Sequence, residues 1–148
     1  AILIPANNCN GGRIRLNSAR TQAGKAKIMN KAILVVEDNE LNLRLFCDLL
    51  NAHGFQAHPL RDGRDAVEKA RKIAPALIIM DIQLPHVSGL DLIRELKADI
   101  GLKAVPIMAV TAYAGKGDEE EIRAAGAEAY VSKPISVIKF IETVGQFA

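Results

Sequence analysis

Apolar positions in this chain follow two different spacings, and the two alternate. Short runs that are apolar on both faces recur at Ala32–Val36, Ala76–Met80 and Val105–Val110. A β-branched run without polar alternation marks a strand covered on both sides, as in the middle of a parallel sheet. Phe55–Leu60 and Glu128–Ser132 read as weaker strands. Between the runs the spacing changes to three and four, the helical period. Asn39 is the N-cap of a helix running through Leu45, Leu49 and Ala52 and closed by Gly54. Asp62 caps a helix with Ala66, Val67, Ala70, Ile73 and Ala74 on one face. Ser88, with Asp91 three residues on, opens a third helix carrying Leu92, Ile93 and Leu96. Gly117–Ala125 forms a short helix stopped at Gly126, and Ser136–Phe147 places Val137, Phe140, Ile141 and Val144 at helical spacing. Five strand–helix units in succession predict an α/β domain, a doubly wound five-stranded parallel sheet with five helices on its two faces.

The residues that end the strands carry the chemistry. The first strand runs into Glu37-Asp38, the third into Asp81, the fourth into Thr111 and the fifth into Lys133-Pro134. Ligands of doubly wound sheets bind beyond the carboxyl ends of the strands, where the strand order reverses. With order 2-1-3-4-5 that crevice lies between strands one and three, beside Asp38 and Asp81. One polar residue at a strand end is ordinary; acids, a hydroxyl and an amine on four strands around one crevice are a site. Glu37, Asp38 and Asp81 bring −3 and Lys133 returns +1. One divalent cation matches the remainder, and oxygen-only ligands suit Mg2+ rather than zinc. Without a cation the carboxylates would repel and raise their own pKa values. A carboxylate nucleophile, a hard cation, a lysine and a hydroxyl are the parts of a phosphoryl-transfer site.

Charge changes the picture only at the N-terminus. The chain of 148 residues has a formal net charge of +2. Residues 1–28 hold Arg13, Arg15, Arg20, Lys25 and Lys27 and no acid, which leaves 14 bases against 17 acids on residues 29–148. The arm has no sustained apolar period and too little to bury against its ordering entropy. It is too poor in Ser and too weakly amphipathic for a transit peptide, and lacks the aromatics of a nucleic-acid arm. We therefore expect 1–28 to be a disordered basic arm, either non-native or read from a wrongly assigned start upstream of Met29, with the domain over 29–148. Cys9 lies in the arm, which argues against a bridge to Cys47, a packed thiol in a helix. Apolar runs of about five residues exclude insertion in a membrane, which takes ~20. Two cysteines cannot staple a secreted fold, so a cytoplasmic location is expected.

Taken together, Val36-Glu37-Asp38-Asn39, Met80-Asp81-Ile82-Gln83-Leu84-Pro85, Val110-Thr111-Ala112 and Ser132-Lys133-Pro134 resemble the receiver domain of two-component response regulators, over residues 31 to about 147. Glu37–Asn42, Ser88-Gly89-Leu90 and Lys116–Glu120 further resemble the stand-alone cell-division regulators of alphaproteobacteria. The resemblance implies a flavodoxin-like fold. Strand order 2-1-3-4-5 is the one a chemotaxis receiver exemplifies, so family and order are one expectation rather than two. It also implies that Asp81 accepts a phosphoryl group from a histidine of a sensor histidine kinase. Asp38, Asp81 and the backbone carbonyl of Gln83 would ligate Mg2+, with Glu37 acting through water. Lys133 would pair with the phosphoryl group, and Thr111 and the backbone amide of Ala112 would bond it. Tyr130 would turn inward behind Thr111 as the second switch residue. Lys133-Pro134 would be a cis peptide, of a kind X-Pro bonds reach most easily. Output would be binding of a downstream protein partner through the last two helices and the fifth strand. No nucleic acid is expected as a partner, and no multiple-turnover enzyme activity.

Other readings compete with this one. An unphosphorylated pseudo-receiver would serve only as an interaction module. An aspartyl phosphatase also uses an Asp nucleophile but wants a second acid two residues on, where this chain has Gln83. A nucleotide-binding protein of flavodoxin type would want a glycine-rich loop after the first strand, where Glu37-Asp-Asn-Glu40 stands. His53, His58 and His86 lack metal-ligand spacing and read as surface or structural, with His86 placed to tune access to Asp81. The acidic run Asp118–Glu121 suits the N-terminal end of its helix.

Overall fold

The computed structural model describes residues 31–112 and 115–148; the basic arm and Cys9 lie outside the described residues. Five strands, β1 (Ala32–Val36), β2 (Gln56–Leu60), β3 (Leu77–Asp81), β4 (Ile107–Thr111) and β5 (Ala129–Ser132), form one parallel sheet in the order β2-β1-β3-β4-β5. The connecting helices are α1 (Glu40–Ala52), α2 (Ala66–Ile73), α3 (Gly89–Ala98), α4 (Lys116–Ala125) and α5 (Val137–Phe147). Strand order and layering are those expected. The sheet splits its side chains by parity. Leu34, Val36, Ile78, Met80 and Ala109 pack with α2, α3 and α4; Ile33, Val35, Ile79, Met108 and Val131 pack with α1 and α5. On the second face Phe46 of α1 and Phe140 of α5 stack with ring centroids 5.2 Å apart. Among the described residues no helix is long and apolar enough to cross a membrane.

The local detail departs from the periodicity in places. Asn39 caps α1 through a bond from Asn42 N–H, but the buried stripe is Leu43, Phe46 and Leu50, and Leu45 is 42% exposed. The first turn after a cap can present either of two adjacent stripes, and packing on β1 selects this one. Asp62 accepts from Arg64 N–H and caps a single 3-10 turn, Gly63–Asp65; the α-helical part of that segment begins only at Ala66. Its far end closes on Ala74 in the left-handed region at φ 51°, a place where glycine is the easier residue. Ser88 caps α3 through Leu90 N–H, while Asp91 pairs with Arg94 instead of returning to the cap. Val137 is exposed; Phe140 and Val144 carry the burial of α5. Pro106 precedes β4, and its carbonyl accepts from Ile78 N–H.

At the amino end of the sheet a polar clamp joins three elements. Lys97 of α3 donates to the carbonyls of Lys103 and Val105 and pairs with Glu128, whose other oxygen accepts from Ile107 N–H at 2.6 Å. The stem of Lys97 lies over Gly126, where a Cβ would fall 2.6 Å from Lys97 Cγ.

Candidate phosphoacceptor and metal site

The ladder continues one residue past several strands and so fixes the backbone of the site. Glu37 N–H donates to Leu60 O, Ile82 N–H to Val110 O, and Lys133 N–H to Thr111 O at 2.7 Å. Side chains at these positions therefore project from a rigid edge. Asp81 ends β3 at 2% exposure, and Glu37, just past β1, is fully buried. Carboxylate oxygens of Glu37, Asp38 and Asp81 lie within 4.8 Å of one another. Lys133 Nζ donates to Glu37 Oε1 at 2.9 Å and stands 3.4 Å from Asp81 Oδ2, while Asp81 Oδ1 accepts from Gln83 N–H at 3.0 Å. The Lys133–Pro134 peptide is cis.

One ammonium against two buried carboxylates leaves negative charge uncompensated. Burial, and then the facing Glu37 carboxylate, push the Asp81 carboxyl up to about 8. Burial alone would raise Glu37 too, but hydrogen bonding with Asp81 and Lys133 outweighs it and holds Glu37 below the usual range. For Lys133, the two carboxylates overcome the effect of burial and raise its pKa. Among the described residues, Glu37 Oε2 is a buried oxygen with no hydrogen-bond donor. A buried carboxylate oxygen in that position needs a proton or a cation. With only oxygen donors around it, the cluster fits a hard divalent ion such as Mg2+ and not zinc.

Thr111, at 1% exposure, ends β4 beside this cluster. Its Oγ1 accepts from Gln83 Nε2 at 2.8 Å, and Gln83 Oε1 accepts from Ala112 N–H at 3.0 Å. The Gln83 side chain thus ties the β3–α3 loop to the end of β4. The sequence singled out Gln83 for its backbone carbonyl and for not being an acid. Its side-chain role has no local signature, because both partners are about 28 residues away. Gly89 was also missed as a site residue. A Cβ there would lie 2.3 Å from Asp81 O and 2.7 Å from Ile82 Cα, so the start of α3 presses against the very end of β3. Tyr130 is half-buried against the cluster under α2, α3 and α4. None of the three histidines joins the acidic cluster. His86 is exposed, in the left-handed region at φ 35°, and borders a cleft of about 450 Å³ with Asp38 and Arg61. A second opening, of about 400 Å³, lies between Leu45, Ala112 and Lys133. Half-buried Asp38 thus borders the first cleft and Lys133 the second, while Glu37 and Asp81 lie beneath them, buried.

Known proteins place this geometry. Residues 33–145 match the response regulator receiver domain family. The chain is 54% identical over 119 residues to the polar-differentiation response regulators DivK of Brucella ovis and Brucella melitensis, covering 80% of this chain and 97% of each relative. Among solved structures, the receiver domain of the sensor histidine kinase PA1611 from Pseudomonas aeruginosa, described with a magnesium ion coordinated in its active site cleft, is 32% identical. It superposes with a TM-score of 0.74 over 80% of this chain and 97% of that one. The chemotaxis protein CheY4 of Vibrio cholerae shares the fold at 24% identity and a TM-score of 0.76, over 80% of this chain and 99% of its own. With an acidic pocket at the strand-order reversal and a family match spanning nearly all the described residues, the chain belongs to the response regulator receiver domains, and among them to the DivK type.

Proposed function

We propose that this receiver is a phosphorylation switch in which Asp81 accepts a phosphoryl group from a histidine of a sensor kinase. The observation that carries the reading is the pairing of a buried Asp81 with Lys133 Nζ at 3.4 Å, in an acidic cluster whose three carboxylates outnumber that one ammonium by two charges. An Asp81 carboxylate oxygen attacks phosphorus, and an O–P bond forms as the P–N bond to the donor imidazole breaks. The imidazole nitrogen keeps the bonding pair and, protonated at its other nitrogen, leaves neutral. Lys133 is placed to neutralise charge on the transferring oxygens, and the Thr111 hydroxyl and Ala112 amide to bond them afterwards. Asp38, Asp81 and the Gln83 carbonyl would hold Mg2+, with Glu37 acting through a water. That ion supplies charge neutralisation and lets Asp81 stay ionised at neutral pH.

The product is a modified protein rather than a released compound, so the chain is a phosphoacceptor and not a multiple-turnover enzyme. Phosphate changes output only by bonding one state of the protein better than the other. Thr111 and Tyr130 would carry that preference to the face of α4, β5 and α5, where a downstream protein binds. Similarity to DivK supports a cytoplasmic regulator acting in polar differentiation and cell division. Incubation with Mg2+ and acetyl phosphate, followed by intact-mass measurement, should give one phosphoryl adduct. Asp81→Asn or chelation of Mg2+ should abolish it. Labelling that persists in Asp81→Asn would refute the assignment, and no adduct in either protein would favour an unphosphorylated interaction module.

A further inference from the structure

Gln83 lends its backbone to the proposed metal site, while its side chain does something separate. The carboxamide lies across the end of β4, with Nε2 on Thr111 Oγ1 at 2.8 Å and Oε1 on Ala112 N–H at 3.0 Å. Its orientation is set by chemistry, since a backbone N–H can only donate and must face the oxygen. These two partners are the hydroxyl and amide assigned above to the phosphoryl oxygens. A single N–H cannot serve a carboxamide oxygen and a phosphoryl oxygen at full strength, and the two acceptors repel. We propose that the Gln83 carboxamide is a displaceable latch, a neutral stand-in that holds Thr111 and Ala112 until the phosphoryl group takes them.

This inference rests on the phosphoacceptor reading and makes Gln83 a positioning residue. Phosphoryl oxygens win the exchange because hydrogen bonds to a charged acceptor are about twice as strong as neutral ones. Until then the latch ties Thr111 and Ala112 at the end of β4 to the loop after β3, opposing phosphoryl entry. An equally long thioether side chain, no donor and only a weak acceptor, removes most of the opposition and leaves the backbone carbonyl in place. An acid at the same position keeps the acceptor for Ala112, loses the donor to Thr111 and adds a charge that repels the incoming group.

The test compares the full chain with Gln83→Met and Gln83→Glu. With Mg2+ and acetyl phosphate, an Asp81 oxygen takes the phosphoryl group and acetate leaves with the electron pair. Intact mass over time should show the adduct forming roughly tenfold faster in Gln83→Met, for two neutral hydrogen bonds no longer broken, and more slowly than wild type in Gln83→Glu. A second readout needs neither metal nor donor. The Ala112 amide should exchange its hydrogen faster in Gln83→Met, and its 15N–1H resonance should differ from wild type. On adding beryllofluoride with Mg2+, the Ala112 resonances of the two proteins should converge while the wild-type Gln83 carboxamide signals move. Equal adduct rates beside a normal wild-type adduct overturn the latch alone. Slower labelling of Gln83→Met also overturns it, making Gln83 a ligand of the phosphoryl group. Failure of the wild type to form any adduct removes the phosphoacceptor reading and the latch together.

Discussion

At the scale of single residues, the site is an imbalance held in place by the fold. Among the described residues Lys133 is the one ammonium bonded to Glu37 and Asp81, and its removal leaves both carboxylates buried without it. Breaking a buried pair by deleting one partner costs several kcal/mol, here discounted because the Lys133 side chain is 19% exposed. Lys133→Ala should therefore lower metal-free stability by about 2 kcal/mol, read as a shift in denaturant midpoint, and saturating Mg2+ should restore most of it. It should also uncouple phosphorylation from partner binding; partner affinity that still responds to phosphate in the variant would contradict the role given to Lys133. The acids, hydroxyl and amine were legible because strand ends announce themselves where an apolar run stops at Val36, Met80, Val110 and Val131. The Gln83 bridge was not, since nothing near Gln83 in sequence says that Thr111 and Ala112 will lie across from it. Only the assembled sheet brings the two loops together.

At the scale of elements, two contacts decide how well the parts fit. The start of α3 sits so close to β3 that a methyl group on Gly89 meets backbone at 2.3 Å, and backbone cannot rotate away as a side chain would. Gly89→Ala should destabilise the domain by about 1–3 kcal/mol, as overpacking does, and should slow adduct formation because the atom displaced belongs to Asp81. A variant as stable and reactive as wild type would show that α3 has more room than described. The opposite change is expected at Ala74, whose φ of 51° burdens any residue with a Cβ. Ala74→Gly should raise stability by about 0.5–1 kcal/mol in thermal or urea unfolding, after allowing for glycine's greater freedom when unfolded. Element identities were readable from spacing alone, whereas the choice of stripe on α1 and the 3-10 turn after Asp62 were not. Leu43, Phe46 and Leu50 face inward because β1 and Phe140 are there to receive them, and that is a tertiary fact.

For the whole molecule, the buried acid makes stability a function of pH in an unusual direction. Asp81 ionises near 3.8 when unfolded and near 8 when folded. Between those values the folded state holds a proton that unfolding releases, so raising pH favours the unfolded chain and lowers stability. The contribution is complete below about 4, declines steadily, and is gone above about 8. Metal-free protein should therefore melt at lower temperature at pH 8 than at pH 5. Saturating Mg2+ should flatten that slope, because binding replaces the proton, and Mg2+ affinity should increase with pH. Asp81→Asn has no such proton to lose; parallel melting curves against pH for the variant and wild type would sink the argument.

The Lys97–Glu128 clamp gives this behaviour a direction in space. It fastens α3, the start of β4 and the turn before β5 at the end of the sheet remote from the acids. Arg123, in the last turn of α4, adds a bond to the Glu128 carbonyl, so the carboxyl end of α4 is moored there as well. Its amino end begins four residues after Ala112, whose amide Gln83 holds. A helix moored at one end and released at the other swings instead of sliding. Partners that read this receiver would then meet a change of angle at α4, largest at the end nearest the phosphate and vanishing at the fulcrum.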